Sequence, residues 1–209
     1  ALLELMYIEG ILYHQSIEGV EPTQEGLLED YAFLARACFV GYEQTRDEKY
    51  FKHFEALTIQ TNQKFYKKNK WLESSDGFDT LANTQDNAYA SALATHTINL
   101  LTLSLYTSDS EMHALAINII QNNHNQINKY SFYYATITMA YLMGQYGVII
   151  KTNAINIAKL QAKKLDNPFV CFADNGSEKY EICNFNSCFA QADSLEEVRS
   201  TLVGLLPRL

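Results

Sequence analysis

The chain has 209 residues, and its formal charge of −8 argues against a general binder of nucleic acids or anionic membranes, because both attract basic surfaces. Hydrophobic residues make up 47% and charged residues 19% of the chain, which indicates a globular protein rather than a disordered one. Only 9 Gly and 3 Pro residues are present, which excludes a loop-rich all-β fold and favours long helices.

Helical periodicity dominates the first 146 residues. Residues 2–9 are predicted to end a helix that Gly10 closes, and Glu18-Gly19 predicts a turn. Five further helices are predicted over residues 27–42, 45–65, 86–106, 108–123 and 131–145. Of these five, the first, third and fifth are apolar on most sides, whereas the second and fourth have polar outer faces. The alternation predicts stacked αα-hairpins with an inner and an outer ring.

The pattern changes at Gly147, where β-branched residues begin a different kind of segment. Strands are predicted at 148–151, 168–172 and 180–183, with helices at 154–165 and from Ser194. Asp174-Asn175-Gly176 predicts a hairpin turn that pairs the last two strands. We therefore predict helical hairpins over 1–146 and a small α/β lobe of βαββα order over 147–209.

Three motifs occur in an order that resembles a known family. Residues 26–34 read G-L-L-E-D-Y-A-F-L, residues 86–91 read D-N-A-Y-A-S, and residues 180–188 read Y-E-I-C-N-F-N-S-C. They resemble the motifs G-[FL]-L-[DE]-D-Y-A-F-L, D-G-A-x-P-S-G-N and Y-x-C-x-x-x-x-C of the spermatogenesis-associated, thioredoxin-domain proteins and their bacterial relatives. Ala90, Ala92 and Leu93 stand where that family has Pro, Gly and Asn.

The resemblance implies a mainly α fold. The chain would be a partial (α/α) toroid of stacked helical hairpins with a small C-terminal βαββα lobe. The complete toroid would resemble N-acylglucosamine 2-epimerase and the six-hairpin glycosidases. The implied partners are the protein's own N-terminal thioredoxin-like domain, the remainder of the toroid and a small sugar-like ligand. A half toroid predicts an exposed apolar patch along 1–45 or on the buried helices, which a homodimer would mask.

In such a toroid the inner helices begin at the central cavity, which makes Asp30 and Asp86 candidate catalytic carboxylates. His14, Tyr31 and Ser91 are candidate ligand-binding residues on the same grounds, with Tyr31 available to stack on a sugar. Purely structural roles are the alternative: Asp30 would interact with its own helix start, Tyr31 would lie in the core and Asp86 would cap a helix. His96, in the middle of an apolar helix, is interpreted as a core histidine.

The four cysteines are Cys38, Cys171, Cys183 and Cys188. Without a secretion signal they are predicted to be reduced thiols in a cytoplasmic protein. Cys183 and Cys188 form a weak alternative metal or redox pair, with Cys171 as a possible third thiol across the predicted hairpin. Small buried side chains are the favoured interpretation, and neither a cofactor nor a metal is expected.

The sequence is compatible with three functions. The first is an uncharacterised domain that binds a sugar-like ligand in the toroid cavity. The second is a non-catalytic scaffold that presents the thioredoxin-like domain to client proteins. The third is a sugar epimerase or glycosidase-like enzyme, so the sequence does not decide whether the protein is an enzyme. Nucleic acid and membrane partners are not expected, because the charge is negative and no apolar run reaches the about 20 residues of a membrane helix.

Overall fold

The computed structural model describes residues 2–77, 80–163, 165 and 167–205. The chain is predominantly α-helical and includes a small mixed sheet. It divides into two compact units, one of Ala1–Asn99 with Asn123–Thr138 and the other of Leu100–Asn122 with Met139–Leu209. The predicted boundary between residues 146 and 147 marks a change of secondary structure and stays a prediction. Within the described residues, no helix is both long and apolar enough to cross a bilayer.

Helices occupy most of the chain, and the five helices predicted between residues 27 and 145 are present with shifted bounds. A 3-10 turn at Ser131–Tyr134 shortens the fifth of them. In chain order the helices are α1 (Leu2–Met6), α2 (Leu28–Thr45), α3 (Glu48–Phe65), α4 (Ala92–Thr107), α5 (Ser110–Asn122), α6 (His124–Tyr130), α7 (Ala135–Tyr146), α8 (Ala154–Gln161) and α9 (Leu195–Val203). Helix α6 is not among the predicted helices, because it is short and rich in amide side chains.

Helices α2 and α3 form a hairpin in the first unit. Arg46 adopts a left-handed conformation with φ 56° and ends α2. Asp47 caps α3 by accepting a backbone N–H from its first turn, so α3 begins at Glu48 rather than at the predicted residue 45. Between the helices, the rings of Phe39 and Phe54 lie 5.0 Å apart and are both buried.

Two short antiparallel ribbons extend the first unit. Strands β1 (Tyr7–Ile8) and β2 (Ile11–Leu12) pair with each other, as do β3 (Tyr66–Lys67) and β4 (Lys70–Trp71). Glu9 at φ 50° and Gly10 at φ 83° form the first turn, because a two-residue hairpin turn of this kind needs positive φ at both positions. The expectation that Gly10 closes a helix is therefore wrong, since α1 already ends at Met6.

The second unit contains a four-stranded mixed sheet. Its strands are β5 (Val148–Thr152), β6 (Val170–Asp174), β7 (Tyr180–Cys183) and β8 (Cys188–Ala192), in the spatial order β6-β5-β7-β8. The parallel pair β5 and β6 is connected through α8, whereas β7 runs antiparallel to both β5 and β8.

The predicted hairpin between β6 and β7 is wrong, because β7 pairs with β5 instead. After β6, Asn175 donates its backbone N–H to the Thr152 carbonyl at 3.0 Å, so the chain passes the end of β5 before β7 begins. Strand β8 escaped prediction because it is largely exposed and poor in β-branched residues. The order of elements is therefore βαβββα rather than βαββα.

A hydrophobic core stabilises this sheet. Ile150 and Ile182 are buried on neighbouring strands, and Leu160 of α8 with Val198 and Leu202 of α9 belong to the same buried cluster. The run of β-branched residues that begins β5 thus predicts the strand correctly, and its first three residues are all buried.

The fifth predicted helix is less buried than its apolar sequence suggests. Ile137 is fully buried, but Phe132 and Tyr133 in the 3-10 turn are 87% and 57% exposed. An inner helix that is apolar on most sides should bury such residues, and this expectation is wrong for these two, which lie in the 3-10 turn rather than in α7.

Candidate functional site

A cleft of about 390 Å³, lined by both polar and apolar residues, lies in the first unit, beside the N-termini of α2 and α4. Its volume falls within the range of small-molecule sites. The segment 82–91, which precedes α4, forms much of its wall. The polar residues that line the cleft are Glu29, Glu73, Asn83, Gln85, Asn87, Tyr89 and Ser91.

Asp86 holds the wall segment in place. Its two carboxylate oxygens accept the backbone N–H groups of Ser91 and Thr136, each at 2.8 Å. The backbone N–H of Asp86 donates to the Tyr133 carbonyl at 2.9 Å. Ser91 donates its hydroxyl to the Asn83 carbonyl at 2.7 Å and accepts a backbone N–H from the first turn of α4. Both side chains are therefore engaged in fixing the loop.

Tyr89 reaches across the cleft to α2. Its hydroxyl donates to Oε2 of Glu29 at 3.0 Å, and its ring meets Phe33 edge-on at 5.9 Å. The hydrogen bond to the Glu29 carboxylate, the charge of Glu29 and the weaker effect of Glu73 raise the pKa of Tyr89. The ring remains 62% exposed, so it offers an aromatic face to solvent.

Glu73 is positioned by its backbone rather than by its side chain. Its carbonyl accepts the N–H of Leu28 at 2.9 Å, and its own N–H donates to the Thr80 carbonyl at 2.9 Å. These bonds place Glu73 beside the first turn of α2, where its side chain is exposed. Two carboxylates, Glu29 and Glu73, consequently line the same cleft.

His14 and Asp30 lie together, outside the lining of the cleft. Nδ1 of His14 is 2.8 Å from Oδ2 of Asp30, and the same oxygen accepts the N–H of Leu27 at 2.7 Å. The hydrogen bond and the negative charge of Asp30 raise the pKa of His14. This carboxylate therefore secures the start of α2, which is the structural alternative that the sequence left open.

Tyr31 belongs to the core. Its ring is fully buried and meets Phe65 edge-on at 5.6 Å, and its hydroxyl accepts the N–H of Leu12 at 3.2 Å. The expectation that Tyr31 stacks on a sugar is corrected by this burial, because no face of the ring is open to a ligand.

His96 is a core histidine, as predicted. It is fully buried, its Nε2 lies 2.8 Å from Oδ1 of Asn62, and it meets Trp71 edge-on at 5.0 Å. Burial lowers the pKa of His96 to about 3, so the ring is neutral at physiological pH.

Cys183 and Cys188 form a disulfide, which corrects the prediction that all four cysteines are reduced. The register of β7 and β8 places the two residues opposite each other, and the sequence missed this pairing because it missed β8. Disulfide sulfurs do not provide the thiolates that a metal needs, so the alternative metal pair is not supported. Cys38 and Cys171 are buried and not disulfide-bonded, and β5 separates the β6 strand of Cys171 from β7.

Sequence reasoning identified Ser91, which lines the cleft, but missed the other polar residues of the lining. Glu29 stands next to Asp30 in the first motif, and Tyr89 lies between Asp86 and Ser91 in the second. Glu73 and Asn83 are outside both motifs, and only the hydrogen bonds of Glu73 to α2 and of Ser91 to Asn83 bring them there.

The chain matches no family model and no curated protein.

Proposed function

We propose that this chain is the C-terminal part of an α/α-toroid protein of the spermatogenesis-associated, thioredoxin-domain type, and that it binds a small sugar-like ligand. The proposed site is the cleft at Glu29, Glu73 and Tyr89. The observation that carries the proposal is the combination of carboxylates, amides and one exposed aromatic ring in a cleft of about 390 Å³.

This combination matches the chemistry of a sugar. Each hydroxyl of a sugar donates and accepts hydrogen bonds, and the side chains of Glu29, Asn83 and Asn87 together supply acceptors and donors. The apolar face of a sugar ring packs against an aromatic ring, and the exposed ring of Tyr89 offers such a surface.

Binding is favoured over turnover. Asp30 and Asp86, the carboxylates expected to act in catalysis, use their oxygens to hold backbone N–H groups. An epimerase would need a general base beside the sugar carbon, and His14 is paired with Asp30 outside the cleft lining. Glu29 already accepts a hydrogen bond from Tyr89, which favours a role in holding a ligand.

Titration with monosaccharides, monitored by two-dimensional NMR of the 15N-labelled chain, tests the proposal. We expect chemical-shift changes for residues 82–93 and for Glu29. Tyr89→Ala should weaken binding at least about tenfold, because it removes the aromatic face. Tyr130→Ala, which alters another exposed tyrosine of the same unit, is the matched control and should bind normally. Absence of shifts in the cleft for every sugar tested would overturn the proposal.

A non-catalytic scaffold is the second candidate, favoured by the exposed Phe132 and Tyr133. Their rings meet edge-on at 5.5 Å and form an apolar surface in the first unit. In this proposal the surface contacts the remainder of a longer protein. Phe132→Ser with Tyr133→Ser should then abolish co-purification of the chain with that remainder and leave its melting temperature unchanged. Co-purification at the parent level would overturn this candidate.

A further inference from the structure

The cleft carries negative charge that its own lining does not neutralise. Glu29 and Glu73 both line it, and the described lining residues include no Lys, Arg or His. A ligand that enters this space therefore meets an excess of negative potential.

We propose that the cleft selects a sugar bearing a protonated amine, an amino sugar, over neutral sugars and over phosphorylated or acidic sugars. This inference rests on the proposed function, since it specifies the ligand class of the same cleft. The amine would lie between the carboxylates of Glu29 and Glu73, and the sugar hydroxyls would contact the amides of Asn83 and Asn87.

The available hydrogen-bonding capacity fits an ammonium group. Oε2 of Glu29 accepts the Tyr89 hydroxyl, and Oε1 is the second oxygen of the same carboxylate. An ammonium group supplies three donors and no acceptor, so two carboxylates and an amide oxygen can satisfy it completely. A phosphate supplies only acceptors and negative charge, and would oppose both glutamates.

Two helix ends oppose the binding of a cation. The N-termini of α2 and α4 both border the cleft, and a helix N-terminus favours an anion. Ser91 already accepts one N–H from the first turn of α4, and the partial charge at each helix end is about half that of one carboxylate. The two full charges of Glu29 and Glu73 therefore dominate.

Calorimetric titration of the chain with four matched sugars tests the inference: glucosamine, N-acetylglucosamine, glucose and glucose 6-phosphate. The titrations are carried out at about pH 6, where the amine of glucosamine is protonated. We expect glucosamine to bind about three- to tenfold more tightly than N-acetylglucosamine, because the carboxylates are partly exposed and such pairs are weakened by solvent. Glucose 6-phosphate should bind more weakly than glucose.

Charge-removing variants assign the effect to the cleft. Glu73→Gln and Glu29→Gln keep the shape of the side chain, so each should reduce the preference for glucosamine over N-acetylglucosamine. Glu18→Gln removes an exposed carboxylate of the same unit that does not line the cleft, and it should keep the full preference. Raising the salt concentration should reduce the preference in the parent chain.

The outcomes separate this inference from the function on which it rests. Equal binding of glucosamine and N-acetylglucosamine, or tighter binding of glucose 6-phosphate than of glucose, overturns the amino-sugar inference and leaves sugar binding standing. No binding of any of the four sugars overturns both. Binding of putrescine as tight as that of glucosamine also overturns the inference, because charge alone would then explain the affinity.

Discussion

His14 and Asp30 are joined by a hydrogen bond of 2.8 Å between Nδ1 and Oδ2, which ties the segment after β2 to the first turn of α2. Asp30 also accepts the N–H of Leu27, so one carboxylate serves both the helix start and the histidine. The His14–Asp30 pair, here called the clasp, therefore has a structural role. Its effect on stability depends on whether His14 is protonated.

The clasp predicts a pH-dependent contribution of His14. Because the native pKa is raised, the stabilising effect is complete below the ordinary value of 6.5 and is lost as the pH rises through the native pKa. His14→Gln should lower the free energy of unfolding by less than about 1 kcal/mol at low pH, since the pair is partly exposed. The loss should shrink at high pH. Urea unfolding of both proteins at several pH values measures it, and a loss independent of pH would contradict the prediction.

For His96 we predict the opposite dependence of stability on pH. Its native pKa of about 3 lies below the ordinary value of 6.5. Between these two pH values His96 is protonated in the unfolded chain and neutral in the native chain. Stability should fall as the pH drops from 6.5 to about 3, by up to about 1.4 kcal/mol per pH unit from this residue.

In the variant His96→Gln, the free energy of unfolding should depend less steeply on pH in the acid range. We expect this even where the variant is less stable than the parent at neutral pH. His124→Gln, which alters an exposed histidine, should retain the parent slope. An unchanged slope in His96→Gln would show that the ring is protonated in the native state.

Replacement of Asp86 is predicted to lower the stability of the chain rather than to remove a catalytic activity. Asp86→Ala leaves the N–H groups of Ser91 and Thr136 without their acceptor, which should cost about 1–3 kcal/mol in thermal or urea unfolding. Asp193→Ala removes an exposed ion pair with Lys179 and should cost less than about 1 kcal/mol. Loss of ligand binding in Asp86→Ala at unchanged stability would restore the catalytic interpretation.

The disulfide predicts a specific pattern of thiol reactivity. When the chain is denatured without reductant and alkylated, mass spectrometry should find label on Cys38 and Cys171 alone. Prior reduction should add label on Cys183 and Cys188. Because the bond closes a short loop, Cys183→Ser should lower the free energy of unfolding by only about 2 kcal/mol. Labelling of all four cysteines without reductant would contradict the disulfide.

Local sequence patterns were sufficient for the helices and for several turns. The apolar spacing from Leu27 to Tyr42 predicted α2, and the acidic cluster at Asp109 predicted the start of α5, where Asp109 accepts two backbone N–H groups. The turn at Gly19 is also present, with φ 77°. Each of these features depends on residues within about four positions of each other, which is the range over which a helix or turn forms its own hydrogen bonds.

The candidate site was predicted only in outline. Both motifs that border the cleft were recognised, but the roles inside them were assigned to Asp30, Tyr31 and Asp86 instead of Glu29 and Tyr89. In α2 adjacent residues point about 100° apart, so a neighbour in sequence need not share a face. Which of Glu29, Asp30 and Tyr31 meets solvent depends on what packs against the helix.

By itself, the sequence determined that the chain is mainly helical, that Gly147 begins a segment with strands, and that His96 is a core residue. Only the tertiary structure decided that β7 pairs with β5, that Cys183 meets Cys188, that Tyr31 is buried and that Glu29 and Glu73 share a cleft. The reason is the range of the interactions. Helical periodicity depends on residues that are close in sequence. Strand order, burial and the approach of like charges to one cleft depend on segments far apart in the chain.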